Sequence, residues 1–500
     1  MNITTISLLF HIILVPEIFL GISIIYLVLY CLFVGYNRNN KFFLFEKSTL
    51  FLISLVIIMV CFLLINQNFL DLQISGFSNC FISDVLSNIS RIIIGITSFI
   101  FFLVTEHYIG TQKINSFEYY IIFLFGVLGT FLICTANDLL AAYLSIELQG
   151  LSFYLLASFN KNSSYSVENG LKYFILGSFS SGLFLYGSSI LYGLFGTLNF
   201  TDFFDLTEDS TSNYIYCPDI FQYPLILILV SLLFKLAIAP FHVWLPDIYE
   251  GSPFSSTFFF AVVPKLSIFI LFLKIFNYCF FNLVSYLMEI LVFIAVFSVI
   301  VGSFGGLEQR KLKSLLAYSS IGHMGYLLIV FSLPNNEGFQ LGFCYLTIYM
   351  ISGICFWIIL MLITVKNLYL KKRNKDLTDL ILLYKSNLGL SISLNVILFS
   401  IAGFPPLIGF LVKIGLFFAT IEISYYLVSI LSIFCSVIST FYYIRVIKIL
   451  YFETVLVGKL YYPIKNQIIF ILLVLVYFLI FLFVRPNLLF FISYKIGFGF

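Results

Sequence analysis

Residues 232–272 read LLFKLAIAPFHVWLPDIYEGSPFSSTFFFAVVPKLSIFILF. The stretch is almost entirely apolar and is long enough for two membrane-spanning helices, each of which needs about 20 such residues. Lys235 and Lys265 nevertheless lie inside it, and four prolines interrupt it. A charged side chain at the centre of a membrane costs about 2.5–3.5 kcal/mol on insertion scales, so a function is the first hypothesis for each lysine.

The composition of the whole chain is that of a membrane protein. Of its 500 residues, 61% are hydrophobic and 10% are charged, whereas soluble chains carry about 25% charged residues. Nine cysteines occur singly, without the spacing of a zinc or iron–sulfur site. The sequence also contains no glycine-rich nucleotide-binding loop. We therefore expect a polytopic membrane protein with no metal, disulfide framework or cofactor of its own, and no nucleic-acid partner.

The hydropathy predicts an all-α fold with about fourteen membrane-spanning helices, each a run of about 20 mostly apolar residues. The N-terminal stretch lacks the features of a signal peptide or a transit peptide, so we expect the chain to be inserted by its own helices. The predicted spans are 6–34, 48–66, 85–105, 117–135, 137–158, 167–196, 222–243, 254–276, 283–303, 312–332, 339–365, 386–418 (long and broken), 424–451 and 466–485.

Basic residues are concentrated on one side of the predicted membrane topology. An even number of spans places both termini on the same side, and the loops on the opposite side contain basic clusters at 38–47, 310–313 and 366–385. The loop 197–221, on the side of the termini, contains five acidic residues and no basic residue. By the positive-inside rule, both termini face away from the compartment in which the chain is made.

Two blocks of five predicted helices resemble each other. In each block the fourth helix is broken by proline, at Pro240 in the first and at Pro405 and Pro406 in the second, with Lys235 or Lys413 near the break. Because five is odd, the second block is inverted relative to the first, a pattern typical of transporters. The predicted division is residues 1–116 (first three helices), 117–277 (first repeat), 283–452 (inverted second repeat) and 453–500 (last helix and tail).

Several ionisable residues lie inside the predicted helices. Glu147 and His323 are each about ten residues from a helix end, and each can instead be a structural, hydrogen-bonded group. Lys172 is about five residues inside its helix, so its long stem can reach the membrane surface, or it can pair with Glu147 on the preceding helix. The deep residues are Glu147, Lys172, Lys235, Lys265, His323 and Lys413.

Intramembrane chains of Asp, Glu, His and Lys mark proton pathways in pumps. Pro240 leaves backbone carbonyls near Lys235 without intrahelical partners, and such carbonyls can hold water. We therefore predict that the lysines carry protons and that the prolines open the helices to water. The remaining membrane charges are predicted to be interfacial or packing groups: Glu17, Arg91, His242, Lys274, Arg445 and Lys448.

Four stretches of the chain resemble a known family. They are NDLLAAYLSIELQGLSFYLLA (137–157), ENGLKYFILGSFSSGLFLYGSSILYGLFGTLNF (168–200), KLAIAPFHVWLPDIYEGSP (235–253) and KSLLAYSSIGHMGYLLI (313–329). They are similar to the antiporter-like subunits of respiratory complex I, and the similarity extends over roughly residues 115–450.

This resemblance implies fourteen helices with two inverted five-helix repeats. It also implies proton pumping across the mitochondrial inner membrane, as part of an NADH:ubiquinone reductase in which this chain holds no redox centre. NADH, FMN, iron–sulfur clusters and ubiquinone would then bind elsewhere in the complex, and the partners would be neighbouring antiporter-like subunits and the lipid bilayer. The basic loops would face the matrix, and both termini the intermembrane space.

Carried over residue by residue, the resemblance implies proton-transfer roles for Glu147, Lys172, Lys235, Lys265 and Lys413, with His323 as a possible relay. Three alternatives remain. A free-standing cation/proton antiporter of the related family would contain the same lysines, and a plastid version of the subunit would share the motifs. A structural membrane subunit would tolerate replacement of Glu147 or Lys235.

Overall fold

The computed structural model describes residues 13–35, 42–67, 74–112, 117–208, 218–333, 336–363, 376–381, 383–453 and 466–498. Within these ranges the chain is nearly all helical, because a helix satisfies every backbone hydrogen bond inside an apolar run. Eleven of the described helices are long and apolar enough to cross a membrane, and shorter apolar helices cover Phe51–Gln67, Gln222–Leu236 and Leu388–Ala402. The prediction of a helical, multi-pass membrane protein is confirmed.

Most of the long α-helices follow the predicted apolar segments, and residues 6–12 of the first predicted span lie outside the described residues. The α-helices are α1 (Val15–Gly35), α2 (Phe42–Gln67), α3 (Val85–Gln112), α4 (Phe117–Thr135), α5 (Leu139–Ala157), α6 (Ser164–Phe195), α7 (Phe200–Glu208), α8 (Pro218–Leu236), α9 (Trp244–Gly251), α10 (Phe254–Leu273), α11 (Phe281–Leu307), α12 (Leu312–Phe331), α13 (Asn336–Leu362), α14 (Leu383–Ser386), α15 (Leu388–Ala402), α16 (Ile408–Glu422), α17 (Tyr426–Tyr451), α18 (Asn466–Val484) and α19 (Asn487–Phe498). A π-helical turn, Lys274–Cys279, follows α10, and a 3₁₀ turn covers Leu377–Leu380.

The predicted loop between the second and third helices contains a small β-hairpin. Its strands, β1 (Ile74–Gly76) and β2 (Phe81–Ser83), pair antiparallel. The Asn137 side-chain amide donates to the backbone oxygen of Asn79 at 2.9 Å, which ties the hairpin to the connection between α4 and α5. Strands of three residues are too short for a hydropathy pattern to reveal, so the purely α-helical prediction was incomplete here.

The described chain divides into two compact units. The first contains the described residues of Met1–Leu236 and Gly251–Leu287, and the second contains those of Ala237–Glu250 and Met288–Phe498. The four-part division and the inverted repeats inferred from the sequence stay predictions.

Helix α10 forms the core of the first unit. All of its residues are buried, including Lys265. The Phe259 ring lies 4.1 Å from the ring of Phe123 and 5.2 Å from the ring of Phe153, measured between centroids. The helices that contact α10 are α3, α4, α5 and α8. Lys265 is therefore surrounded by protein rather than by lipid.

Helix α12 forms the core of the second unit and is buried throughout except at Tyr318. The backbones of α11 and α12 touch at Gly302, where an added Cβ would lie 2.5 Å from the backbone nitrogen of Gly322. On another side α12 meets α13. The helices that contact α13 are α12, α15, α16, α18 and α19.

Two of the apolar segments are interrupted. Helix α8 ends at Leu236, and the chain turns through residues 237–243, which include Pro240, before α9 begins. Helix α15 ends at Ala402, and the turn 403–407 precedes α16. Gly403 begins this second turn with a φ of +85°, a left-handed conformation that favours glycine. The peptide bonds Ala239–Pro240 and Pro405–Pro406 are cis.

Candidate functional site

Lys235 lies in the last turn of α8, within the first unit. Its Nζ donates to the hydroxyl of Tyr154 at 3.2 Å and to the backbone oxygen of Gly177 at 3.4 Å. Glu147 precedes Tyr154 by two turns on the same face of α5, and its carboxylate attracts Lys235 electrostatically. The structure therefore places Lys235 against a tyrosine that was not predicted, within electrostatic reach of a second predicted residue, Glu147.

Gly177 on α6 makes room for this cluster. A Cβ at this position would collide with the hydroxyl oxygen of Tyr154. The Tyr154 ring also packs edge-to-face on Tyr173, with 4.7 Å between the ring centroids. The close contact between α5 and α6 therefore holds the Tyr154 hydroxyl at Lys235.

Lys172 lies near the start of α6, with 48% of its side chain exposed on the isolated chain. Its Nζ forms an ion pair with Glu168 at 3.0 Å, one turn earlier on the same helix.

Lys265, in contrast, is 4% exposed and follows Pro264 in the middle of α10. Because proline has no N–H, the backbone oxygen four residues before it loses its helical partner. Lys265 thus lies beside a proline that interrupts the hydrogen bonding of its own helix.

His323 lies on α12 in the second unit, between two phenols. Its Nδ1 is 2.6 Å from the hydroxyl of Tyr345 on α13, and its Nε2 is 3.5 Å from the hydroxyl of Tyr443 on α17. In a neutral imidazole one ring nitrogen donates and the other accepts a hydrogen bond. The two phenols therefore suit either tautomer of His323.

Lys413 on α16 reaches back across the helix break. Its Nζ donates to the backbone oxygens of Ala402 at 2.8 Å and Ile401 at 3.0 Å. These carbonyls belong to the last turn of α15, where the helix leaves them without intrahelical partners. The Tyr326 ring also faces the ammonium, with 5.6 Å between Nζ and the ring centroid.

A small cavity lies between His323 and Lys413. Its volume is about 20 Å³, whereas one water molecule needs about 10–15 Å³. Tyr345, Tyr349 and Ser400 are among the other residues that line it. The cavity is thus large enough for one water molecule between the histidine and the lysine.

Two further charges form a buried ion pair within the first unit. Arg91 on α3 donates to Glu17 on α1 at 2.8 Å, and their side chains are 0% and 3% exposed. Arg91 also bonds to the side-chain oxygen of Asn88. From the sequence, Glu17 and Arg91 were predicted to be interfacial or packing charges, and their pairing was not predicted. In the structure they join the first helix to the third.

Lys274 occupies the π-helical turn after α10. Its Nζ donates to the backbone oxygens of Cys134 at 2.8 Å and Ala136 at 3.2 Å, and it lies 4.0 Å from the carboxylate of Asp84. Burial raises the pKa of the Asp84 carboxyl, and the positive charges of Lys274 and Arg91 oppose that rise. Lys274 is therefore held by fixed partners at the end of α4.

Within the described ranges, no group of three or more His, Cys, Asp or Glu residues is arranged to hold a metal ion. The cysteines described are free thiols. Cys217 lies outside the described residues.

Comparison with known proteins places the chain among respiratory membrane subunits. Residues 136–439 match the family described as "NADH:quinone oxidoreductase/Mrp antiporter, TM". The chain is 37% identical over 438 residues to NADH-quinone oxidoreductase subunit N of Pelagibacter ubique, a match that covers 88% of this chain and 89% of the relative. It is 38% identical over 397 residues to NADH-ubiquinone oxidoreductase chain 2 of Marchantia polymorpha, with 78% of each chain covered.

The fold is also similar to a solved structure. A chain in the structure of respiratory complex I from Thermus thermophilus with bound aureothin superposes with a TM-score of 0.78, at 24% identity, over 95% of this chain and 98% of that one. These matches confirm the resemblance seen in the four sequence motifs. The chain belongs to the NADH:quinone oxidoreductase/Mrp antiporter transmembrane family.

Proposed function

We propose that this chain translocates protons as a membrane subunit of an NADH:ubiquinone oxidoreductase, and that glutamate, histidine and lysine side chains on its helices carry the protons. Relatives at 37% and 38% identity are named as subunits of that enzyme, which favours a subunit over a free-standing cation/proton antiporter. Electron transfer then takes place in other subunits, which bind NADH, FMN, iron–sulfur clusters and ubiquinone. This chain provides part of the proton path.

The observation that carries the proposal is the water-sized cavity shared by His323 and Lys413. A proton passes between two groups when hydrogen bonds or one water molecule connect them. Histidine exchanges protons near neutral pH, and lysine occurs in proteins in both protonated and neutral forms. The cavity therefore joins two side chains that can each hold and release a proton.

A second part of the path lies within the first unit. Glu147 attracts Lys235 electrostatically, so a change in the charge of the glutamate changes the energy of a proton on the lysine. The Tyr154 hydroxyl, 3.2 Å from Lys235, is a hydrogen-bonding group through which that proton can leave. Lys172 and Lys265 are further proton stations in this unit.

The proposed architecture is fourteen spans with two inverted five-helix repeats, divided at residues 1–116, 117–277, 283–452 and 453–500. A lysine at each interrupted helix supports it: Lys235 precedes the turn 237–243, and Lys413 follows the turn 403–407. Broken helices in inverted repeats are a common architecture for binding sites in transporters.

The proposed location is the mitochondrial inner membrane, with the basic loops toward the matrix and both termini toward the intermembrane space. The similarity to the chain 2 protein of Marchantia polymorpha and the one-sided distribution of basic residues support this. Neighbouring antiporter-like subunits of the membrane arm and the lipid bilayer are the proposed partners.

The test is proton pumping per NADH oxidised, in membrane vesicles that contain the assembled complex with Lys413→Met or Lys413→Arg. Arginine keeps the charge and the hydrogen-bond donors but does not release its proton. We expect both variants to pump several-fold less than wild type, at a normal amount of assembled complex. Wild-type pumping with Lys413→Met would overturn the proposal.

A further inference from the structure

Two adjacent tyrosines on α17 extend the hydrogen bonds of His323. The Tyr443 hydroxyl lies 3.5 Å from Nε2 of His323, and the Tyr442 hydroxyl donates to that of Tyr443 at 3.4 Å. Both tyrosines are 2% exposed. Tyr443 meets the imidazole at Nε2, whereas Tyr345 occupies Nδ1 and lines the cavity that Lys413 also lines. Each of the two ring nitrogens of His323 thus has a tyrosine hydroxyl beside it.

The second tyrosine leads to the end of a neighbouring helix. The Tyr442 ring packs against Gly306, one residue before the end of α11. Arg445, one turn further along α17, is partly exposed and donates to the backbone oxygen of Leu307 at 3.0 Å. The row of side chains therefore runs from the buried imidazole to a partly exposed position at the end of α11.

Serine side chains lie near both phenols. Ser319 is near Tyr443 and Ser439 is near Tyr442, while each serine hydroxyl donates to a backbone oxygen of its own helix. A phenol hydroxyl both donates and accepts hydrogen bonds. Each tyrosine therefore has more than one polar neighbour within the protein, which proton transfer along a chain of hydroxyls requires.

We propose that Tyr442 and Tyr443 form a proton wire that connects His323 to the surface beside Arg445, at the end of α11. The inference rests on the proposed proton-translocating function and extends it by naming a second connection to the relay. Packing alone would require the aromatic rings, whereas the wire requires the two hydroxyl groups.

Proton transfer along the wire leaves no charge on either phenol. The Tyr442 oxygen accepts a proton from a protonated water molecule at the surface, which is left as neutral water, and passes its own proton to the Tyr443 oxygen. Tyr443 in turn passes its proton to Nε2 of His323. The imidazole then releases the Nδ1 proton through Tyr345 and the cavity water to the neutral amine of Lys413. Rotation of the hydroxyls resets the phenols, and His323 is reset when the imidazole exchanges its Nε2 proton for one at Nδ1.

The test compares Tyr443→Phe, Tyr442→Phe and the double variant for protons pumped per NADH oxidised in the assembled complex. Phenylalanine keeps both rings and removes the hydroxyls. Tyr426→Phe is the matched control, because this exposed tyrosine lies on the same helix. We expect the wire variants to pump about tenfold less, since a positioned proton-transfer group contributes at least this much, and the control to pump normally.

Gly306→Ala provides a second variant with both hydroxyls intact. Its Cβ would lie 2.8 Å from Cε1 of Tyr442, so the ring must shift and the wire must lengthen. We expect reduced pumping here as well. Gly389→Ala, at a position with nothing within 4 Å of the added Cβ, is the control.

Lys413→Met, measured in parallel, separates the two proposals. Normal pumping in all the tyrosine variants together with lost pumping in Lys413→Met would overturn the wire and leave the proposed function standing. Normal pumping in Lys413→Met as well would overturn both.

Discussion

The ammonium nitrogen of Lys413 lies 2.8 Å from the backbone oxygen of Ala402, the last residue of the helix on the other side of the break. Lys235, at the other interrupted helix, instead uses the Tyr154 hydroxyl and the backbone oxygen of Gly177, which belong to neighbouring helices. Both lysines are therefore held by neutral oxygen atoms. Neither hydrogen-bond set is completed by a carboxylate, so each lysine can lose its charge without leaving a buried anion directly bonded to it.

Gly403→Ala should displace the side chain of Lys413, which lies against the first residue of the turn 403–407. Gly403 has a φ of +85°, and an added Cβ would lie 2.8 Å from Cδ of the lysine. The left-handed backbone alone costs about 1–2 kcal/mol for an alanine. We expect lower thermal stability of the complex and reduced pumping per NADH oxidised, whereas Gly389→Ala should behave as wild type. Equal behaviour of the two variants would show that Lys413 tolerates displacement.

Gly177→Ala should separate Tyr154 from Lys235. The added Cβ collides with the Tyr154 hydroxyl, which must move because the other atoms at the contact belong to the same ring. Pumping should fall, and Tyr154→Phe should reproduce the effect. Gly182→Ala, on the same helix with open space around the added Cβ, should leave pumping unchanged. If Gly177→Ala pumps as well as Gly182→Ala does, the tyrosine is not part of the path.

Tyr345→Phe should interrupt the connection between His323 and the cavity, because it removes the 2.6 Å hydrogen bond to Nδ1. His323→Gln keeps hydrogen-bonding groups on the side chain but removes the group that binds a proton near neutral pH. We expect both to lower the ratio of protons pumped to NADH oxidised. A normal ratio in His323→Gln would assign the histidine a structural role, the alternative that the sequence left open.

Arg91→Met should destabilise the first unit strongly, because it leaves the buried carboxylate of Glu17 without its partner. Breaking a buried ion pair in this way costs about 3–5 kcal/mol. Glu168→Gln breaks the exposed pair with Lys172, and such pairs contribute about 0–1 kcal/mol. Thermal unfolding of the purified complex should therefore respond much more to Arg91→Met. Similar midpoints for the two variants would contradict the structural role of the buried pair.

Hydropathy was sufficient to locate the helices and to identify the lysines within them. The predicted segment 117–135 coincides with α4, and the proline residues correctly marked interrupted segments near Lys235 and Lys413. These features were predictable because they depend on neighbouring residues alone: the length of an apolar run decides whether a helix can span the membrane, and a proline interrupts the helix in which it lies.

The partners of the buried charges were not predictable in the same way. Tyr154, Tyr345 and Tyr443 are three of 33 tyrosines, and a tyrosine in an apolar helix does not indicate which charge its hydroxyl meets. The ion pair between Glu17 and Arg91 joins residues far apart in the chain. The pair of Glu168 and Lys172, four residues apart on one helix, was within reach of the sequence, because such spacing brings side chains together.

The most direct measurement is proton pumping alongside NADH:ubiquinone turnover in membranes that contain Lys235→Ala, with Lys385→Ala, an exposed lysine, as the control. The predicted result is a sharp fall in pumping or coupled turnover for Lys235→Ala, at a normal amount of assembled complex and with a normal control. Wild-type pumping and turnover in Lys235→Ala would contradict proton transfer through the ionisable residues on the helices of this chain.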